Sequence, residues 1–192
     1  MNKNTQEKIK AECFYQIVQP YFSSFLKESY CLVEFCAGNG NGGKLFLQNG
    51  DARQLYLVDI KRVRGLEKTL TEIDKTTIVF LDGIANYQFP VEQDLAVIGI
   101  HACGGLTDKI IERAVTIRAP LAVMPCCYSR KKQYHLQYPP DPRLLLYRRK
   151  EDYFDLVRLQ FIKEQGYSVI LENINPKITP MNNILIGIPN KS

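Results

Sequence analysis

The sequence predicts an α/β fold with a seven-stranded, mostly parallel sheet, helices on both faces and an N-terminal helical leader. From Cys31 onward, short apolar runs alternate with segments of helical periodicity, which is typical of consecutive βα units. A glycine-rich turn separates the first apolar run from the helix that follows it. The last two runs are joined by about ten residues with no helical pattern, which predicts a hairpin and therefore an antiparallel final strand.

Each predicted element follows from these patterns in chain order. The leader covers residues 3–27, where a kink is predicted at Pro20. Its apolar face consists of Ile9, Cys13 and Ile17, followed by Phe22, Phe25 and Leu26. The predicted strands are residues 31–36, 54–58, 76–80, 95–100, 121–124, 168–173 and 183–188. The predicted helices after the leader are residues 44–48, 63–73, 107–116 and 152–165. A polar, proline-interrupted stretch at 130–150 predicts a loop or insertion.

Length and composition limit the class of protein. A chain of 192 residues is long enough for one domain with a full core. Its apolar runs are all shorter than the ~20 residues needed to span a membrane, and its start lacks the apolar core of a signal peptide. Six cysteines in such a chain are expected to be reduced thiols, which predicts a cytoplasmic protein.

The segment Cys31–Phe46, CLVEFCAGNGNGGKLF, carries the main functional signal. A strand, a glycine turn and a helix present backbone N–H groups to a nucleotide-like ligand at the carboxyl end of the strand. Acidic residues accompany the turn: Glu34 precedes it, and Asp59 ends the next strand. The glycines also satisfy Gly-x-Gly-x-x-Gly, so an NAD-type dinucleotide-binding domain is the main alternative. That alternative gives no role to Glu34 or to the terminal hairpin.

This layout resembles the Rossmann-like fold of class I S-adenosylmethionine-dependent methyltransferases along nearly the whole chain. The resemblance implies that Glu34 and the turn hold the methionine part of S-adenosylmethionine, that Asp59 binds the ribose and that Asp82 reaches the adenine. A carboxylate suits vicinal hydroxyls because it accepts two hydrogen bonds. The implied cofactor-binding residues are Glu34, Cys36, Ala37, Gly38, Gly40, Asp59, Ile60, Asp82, Gly83 and His101.

Two further segments narrow the resemblance. HACGGLTD at 101–108 and the Cys-Cys pair in PCCYS at 125–129 resemble a methyltransferase domain shared by eukaryotic tRNA ribose 2′-O-methyltransferases and related methyltransferase-like proteins. That domain typically reads Glu-Phe-Gly-Ala-Gly at the first turn, whereas Cys36 replaces the first glycine here. Histidines follow the Cys-Cys pair in the tRNA enzymes, whereas Tyr128 and Ser129 follow it in this chain.

The candidate catalytic residues are His101, Asp108, Cys126, Cys127 and Tyr128. His101 could take a proton from a substrate hydroxyl or amine, or it could only shape the loop, with Asp108 as its partner. Cys103, Cys126 and Cys127 allow three interpretations. The first is a zinc site with His101, which is disfavoured because the adjacent cysteines Cys126 and Cys127 rarely both bind one metal ion. The second is a nucleophilic thiolate that would attack a pyrimidine ring. The third, which we favour, is that the thiols are buried packing residues. We therefore predict no metal.

The segment 128–150 is the best indication of the substrate. Residues 130–150 hold seven Lys or Arg and one Asp, a net +6 in a chain of net +5, and tyrosines are interleaved with them. Cations for phosphates and aromatic faces for unstacked bases predict RNA binding, with no membrane partner. The predicted substrate-binding residues are Arg130, Lys131, Lys132, Tyr134, Arg148 and Arg149. The alternatives are a solvated loop or docking of an acidic protein, and correspondingly a protein methyltransferase or a cofactor-binding protein without transferase activity.

Overall fold

A computed structural model describes residues 2–26, 28–73, 77–91, 94–128 and 150–191 of the chain. Five helices and seven strands are assigned in these ranges. The helices are α1 (Lys3–Phe25), α2 (Asn41–Gln48), α3 (Arg64–Glu72), α4 (Gly105–Thr116) and α5 (Lys150–Glu164). The strands are β1 (Tyr30–Phe35), β2 (Ala52–Asp59), β3 (Thr77–Leu81), β4 (Leu95–Ala102), β5 (Leu121–Pro125), β6 (Tyr167–Asn173) and β7 (Asn183–Pro189).

All seven strands form one sheet in the order β3-β2-β1-β4-β5-β7-β6. β1 pairs in parallel with β2 and β4, and β7 runs antiparallel between β5 and β6. The predicted fold class is therefore confirmed, including the antiparallel C-terminal strand. The strand order reverses between β1 and β4, and open α/β sheets bind ligands beside the carboxyl ends of strands at such a switch point.

The two faces of the sheet are covered by different helices. Leu32 of β1 belongs to an apolar cluster with residues of α1, α2 and α3, such as Phe14. Its neighbour Val33 belongs to a second cluster with residues of α4 and α5, such as Ile110. Alternation along β1 sends successive side chains to opposite faces, and every residue of this strand is buried. The sheet is thus a rigid central layer that fixes where the strand ends lie.

The helix α1 packs along one face of the sheet and runs through Pro20 without a break in assignment. Its most buried apolar residues are Ala11, Phe14, Val18 and Phe22. The predicted face of Ile9, Cys13 and Ile17 is half-buried, so it forms the flank of the apolar stripe rather than its centre. The predicted face thus begins on the flank of the stripe, and its later members Phe22 and Leu26 are buried in the core.

The start of one helix differs from the prediction. The helix after the glycine turn begins at Asn41 rather than Lys44, so Gly42 and Gly43 lie inside α2. The described residues between β3 and β4 form a turn and irregular structure, where the sequence predicts no helix. Among the described helices, none is long and apolar enough to cross a membrane.

Candidate functional site

Two cavities lie side by side at the carboxyl edge of the sheet. The first, of about 240 Å³, is lined by α1 and by the turn after β1. The second, of about 360 Å³, is lined by the ends of β2 and β3 and by α4. Cys36 and His101 line both cavities, so they form the ridge between them. A larger groove of about 1080 Å³ opens where β1, β4 and β5 begin, which is the edge that open α/β sheets do not use for ligands.

The ridge residues have unusual backbone conformations. Three described residues other than glycine have a positive φ, and two of them are Cys36 at 54° and His101 at 68°. The pairing of β4 with β5 shifts register between Ile100 and Ala102, so His101 is the extra residue of a bulge. Such conformations cost about 1–2 kcal/mol per residue, and bulges beside active sites re-aim a side chain. The positive φ angles of Cys36 and His101 therefore indicate that the ridge is a candidate functional site.

Glu34 closes the floor of the first cavity. Its side chain is buried, and one carboxylate oxygen accepts a hydrogen bond of 2.8 Å from the backbone N–H of Gly43. A Cβ on Gly42 or Gly43 would lie 2.9 Å from the Glu34 carboxylate, so only glycine allows this approach. Burial raises the pKa of Glu34 to about 7, although the backbone N–H groups of Gly43 and Gly42 act in the opposite direction. The carboxylate thus caps the first turn of α2 and also lines the cavity.

Asp59 and Asp82 line the second cavity. Asp59 accepts hydrogen bonds from the backbone N–H of Gly38, at 2.9 Å, and of Lys61, at 3.2 Å. Asp82 is exposed and accepts a 3.0 Å hydrogen bond from the Asn86 side chain. The side chain of Ile60 is 69% exposed on the same cavity. An apolar surface between two carboxylates suits a ligand that has a flat ring and a polar edge.

His101 contacts the leader helix. Its Nε2 atom lies 2.6 Å from Glu7 Oε2 and 3.1 Å from Lys10 Nζ, and Lys10 donates to Glu7 Oε1 at 3.0 Å. A single ring nitrogen either donates or accepts a hydrogen bond. The shorter contact therefore indicates that Nε2 carries a proton and donates it in a hydrogen bond to Glu7. Partial burial would raise the pKa of Glu7, but the charges of His101 and Lys10 outweigh it and lower that pKa. The leader helix therefore orients the histidine ring.

Asp108 and Tyr128, two predicted catalytic residues, lie in a buried polar network instead. Arg158 donates to Asp108 at 2.7 Å and to Asp155 at 3.1 Å, and the Tyr128 hydroxyl donates to Asp155 at 2.5 Å. Arg158 also donates to the Gly104 carbonyl at 3.1 Å. Neither predicted residue lines the two cavities. Buried carboxylates satisfied in this way indicate a role in holding α4, α5 and the loop after β5 together.

Cys103, Cys126 and Cys127 meet beyond the ridge, with their three sulfur atoms within 4.8 Å of one another. The Cys126 thiol lies 2.6 Å from the Cys103 sulfur and donates to the His101 carbonyl at 3.2 Å. Burial, reinforced by the neighbouring thiols, raises the pKa of Cys126, which disfavours a free thiolate nucleophile at that position. Both apolar clusters of the described core contain cysteines, but none of these three. The packing interpretation that the sequence favours therefore stays a prediction.

The sequence also suggested residues that the structure does not describe, and it missed others. The predicted substrate-binding residues Arg130, Lys131, Lys132, Tyr134, Arg148 and Arg149 lie outside the described residues. The missed residues are Glu7 and Lys10 of α1, Asp155 and Arg158 of α5, and Lys109, which lines the second cavity. One signal was present for Lys10, because it precedes Phe14 by four residues and so shares the buried face of α1.

Comparison with known proteins identifies the domain. Residues 7–133 match the family model described as "Methyltransferase domain". Proteins named "Glutathione S-transferase C-terminal domain-containing protein" from Mus musculus and Homo sapiens are 26% identical over 190 and 191 residues, which cover 82% of this chain. A homologue of that protein from Drosophila melanogaster is 24% identical over 192 residues, 81% of this chain. The chain spans about a third of the length of these curated relatives, 30% to 32%.

Solved structures share the fold at low sequence identity. The methyltransferase domain of bacterial CtHen1 has a TM-score of 0.63 at 13% identity, covering 97% of this chain and all of that one, 100%. Magnesium protoporphyrin IX methyltransferase from Synechocystis PCC 6803, solved with bound SAM, has a TM-score of 0.60 at 11% identity, covering 94% and 79%. An rRNA methylase from Streptococcus thermophilus has a TM-score of 0.57 at 14% identity, covering 91% and 95%. The family match over most of the chain and this shared fold lead to one conclusion: the chain belongs to the methyltransferase-domain family.

Proposed function

We propose that this protein transfers a methyl group from S-adenosylmethionine to RNA. The observation that carries the proposal is the pair of cavities that meet at Cys36 and His101, beside the switch point between β1 and β4. A two-part cofactor with an amino-acid end and a nucleoside end needs two such compartments. Bound there, S-adenosylmethionine supplies a sulfonium whose methyl group is open to displacement.

The residues around the cavities fit the two ends of the cofactor. Beside the first cavity, Glu34 offers a carboxylate to the ammonium group of the methionine end. In the second, Asp59 offers acceptors to the ribose hydroxyls and Asp82 to the adenine amine, while Ile60 supplies an apolar surface for the ring. The backbone N–H of Gly38 donates to Asp59, and this hydrogen bond fixes the turn between the two cavities.

His101 is our candidate for the side chain nearest the accepting atom. It lies on the ridge, where the two ends of the cofactor would join, and Glu7 fixes its ring. Displacement at a sulfonium depends mainly on alignment of donor and acceptor, so positioning by the ridge supplies much of the rate. His101→Gln is expected to lower turnover more than tenfold while S-adenosylhomocysteine binding changes less than threefold, since general acid–base groups contribute about 10²–10⁴-fold.

The choice of RNA rests on sequence and on resemblance. The segment 130–150 concentrates the positive charge of the chain directly after the PCCYS segment. In the described part, Lys61 is exposed two residues after Asp59 and Lys109 lines the second cavity, so two further cations lie at the proposed site. HACGGLTD and PCCYS resemble the domain of tRNA ribose 2′-O-methyltransferases, and two of the structural neighbours are named as an rRNA methylase and a Hen1 methyltransferase domain.

Methyl transfer from radiolabelled S-adenosylmethionine tests the proposal, with RNA and protein fractions of cells that lack the gene as acceptors. We expect label in RNA. Charge reversal at Arg148 and Arg149 should weaken RNA binding and reduce its salt slope by about 1.4, because each lost phosphate contact on a single strand contributes about 0.7. The matched control reverses Lys163 and Lys191, which are exposed at the opposite edge. Label only in protein, or equal effects of both double variants, would refute the choice of RNA.

A further inference from the structure

The loops that follow β4 and β5 bring three thiols together from distant parts of the chain. Cys103 follows β4, and Cys126 and Cys127 follow β5, the neighbouring parallel strand. Their sulfur atoms lie within 4.8 Å of one another, and all three residues are half-buried, so the cluster has an open side. Three side chains of this type at one strand edge form a ready set of soft ligands.

Hydrogen bonds fix the backbone of the two loops that carry the thiols. The Gly104 N–H donates to the Cys127 carbonyl at 3.4 Å, which ties the two loops together. Arg158, itself 1% exposed, donates to the Gly104 carbonyl at 3.1 Å, and the hydroxyl of Tyr128, next to Cys127, is anchored on Asp155. A frame held in this way limits how far the sulfur atoms can spread, which is what preorganises a metal site.

The start of a helix lies beside one of the three thiols. Cys103 lies two residues before the first residue of α4, a helix of 12 residues whose N-terminal dipole stabilises negative charge. The apolar clusters of the described core include Cys13, Cys31 and Cys36 but none of the three. Burial in the core therefore does not account for their convergence.

We propose that Cys103, Cys126 and Cys127 bind one Zn²⁺ ion, with the fourth position open to water or another small ligand. Zinc prefers thiolates at about 2.3 Å in a tetrahedron, which separates sulfur atoms by about 3.8 Å. The contact between Cys103 and Cys126, 2.6 Å without metal, must widen on binding. All three sulfur atoms lie within 4.8 Å of one another, which is close enough for them to reach that spacing by small shifts. Three thiols lose their protons as they bind, and the ion ties the HACGG loop to the PCCYS loop. This site is independent of the proposed methyl transfer.

Cobalt titration of the reduced 192-residue chain, without oxygen, tests the site. We expect one Co²⁺ per chain, a near-ultraviolet sulfur-to-cobalt charge-transfer band, and displacement of that band by one equivalent of Zn²⁺. Cys103→Ser, Cys126→Ser and Cys127→Ser should each weaken zinc binding more than about 100-fold, since even the partners of metal ligands contribute 10–100-fold. Cys13→Ser, at a half-buried thiol of α1, is the matched control and should bind as the natural chain does.

Two results would overturn the proposal. The first is the absence of a charge-transfer band when cobalt is added to the reduced natural chain. This result can be interpreted without any variant. The other is a Cys103–Cys126 disulfide, found by thiol counting and peptide mapping in the untreated protein, together with no metal uptake after reduction. Circular dichroism of each serine variant separates loss of a ligand from loss of the fold.

Discussion

Glu34 links the stability of the fold to pH, and this link can be measured. Its pKa is about 7 in the folded chain because the carboxyl is buried, against 4.5 as the ordinary value. The folded chain therefore holds this proton more tightly than the unfolded chain does. The stabilisation that the protonated carboxyl contributes is complete below about pH 4.5 and is lost as the pH rises through about 7. The shift corresponds to about 3 kcal/mol of unfolding free energy.

Glu34→Gln removes the titration and keeps an acceptor for the Gly43 N–H. The free energy of unfolding of the natural chain and of the variant should be measured in urea at pH 5 and pH 8. We expect the natural chain to lose about 2.5 kcal/mol more than the variant between these values, since all other groups cancel in the difference. Glu12→Gln, at an exposed position of α1, is the control and should leave the difference near zero. Equal losses for Glu34→Gln and the natural chain would refute this account of Glu34.

Three further substitutions test the site and its frame. Ile60→Ala should weaken S-adenosylhomocysteine binding about fivefold in calorimetry, because an adenine ring would cover part of a side chain that is 69% exposed, worth about 1 kcal/mol; unchanged affinity would place the ring elsewhere. Cys36→Gly relieves a φ of 54° and should raise or preserve that affinity, and a marked loss would show that the thiol itself is needed. Arg158→Leu should lower the free energy of unfolding by about 3–5 kcal/mol, since it leaves two buried carboxylates without their cation. The control, Lys163→Ala at an exposed position of α5, should lower it by less than about 0.5 kcal/mol.

The sheet could be predicted from the sequence because its strands obey a local rule. Buried runs such as Leu121–Pro125 alternate with amphipathic helices, and the hairpin of β6 and β7 has a connection too short for a crossover. The start of α2 was missed because glycine is a poor helix former. There the tertiary contact of Glu34 with the Gly43 N–H overrides the propensity.

The site was only partly predictable. Glu34, Asp59 and Asp82 lie at strand ends, where a motif can indicate them. The bulge at His101 depends on how β4 pairs with β5, and the contact of Glu7 with His101 joins residues that are 94 positions apart. The burial of Asp108 likewise depends on Arg158, 50 positions away. No local pattern carries information of that kind.

Calorimetric titration with S-adenosylhomocysteine, with NAD as a control ligand, tests the central claim most directly. We predict one site per chain with a micromolar Kd, weakened at least about tenfold by Asp59→Ala, since hydrogen bonds to a charged group contribute about 1.5–3 kcal/mol. NAD should not bind. Binding of NAD in place of S-adenosylhomocysteine, or no binding of S-adenosylhomocysteine by either the natural chain or Cys36→Gly, would contradict the account.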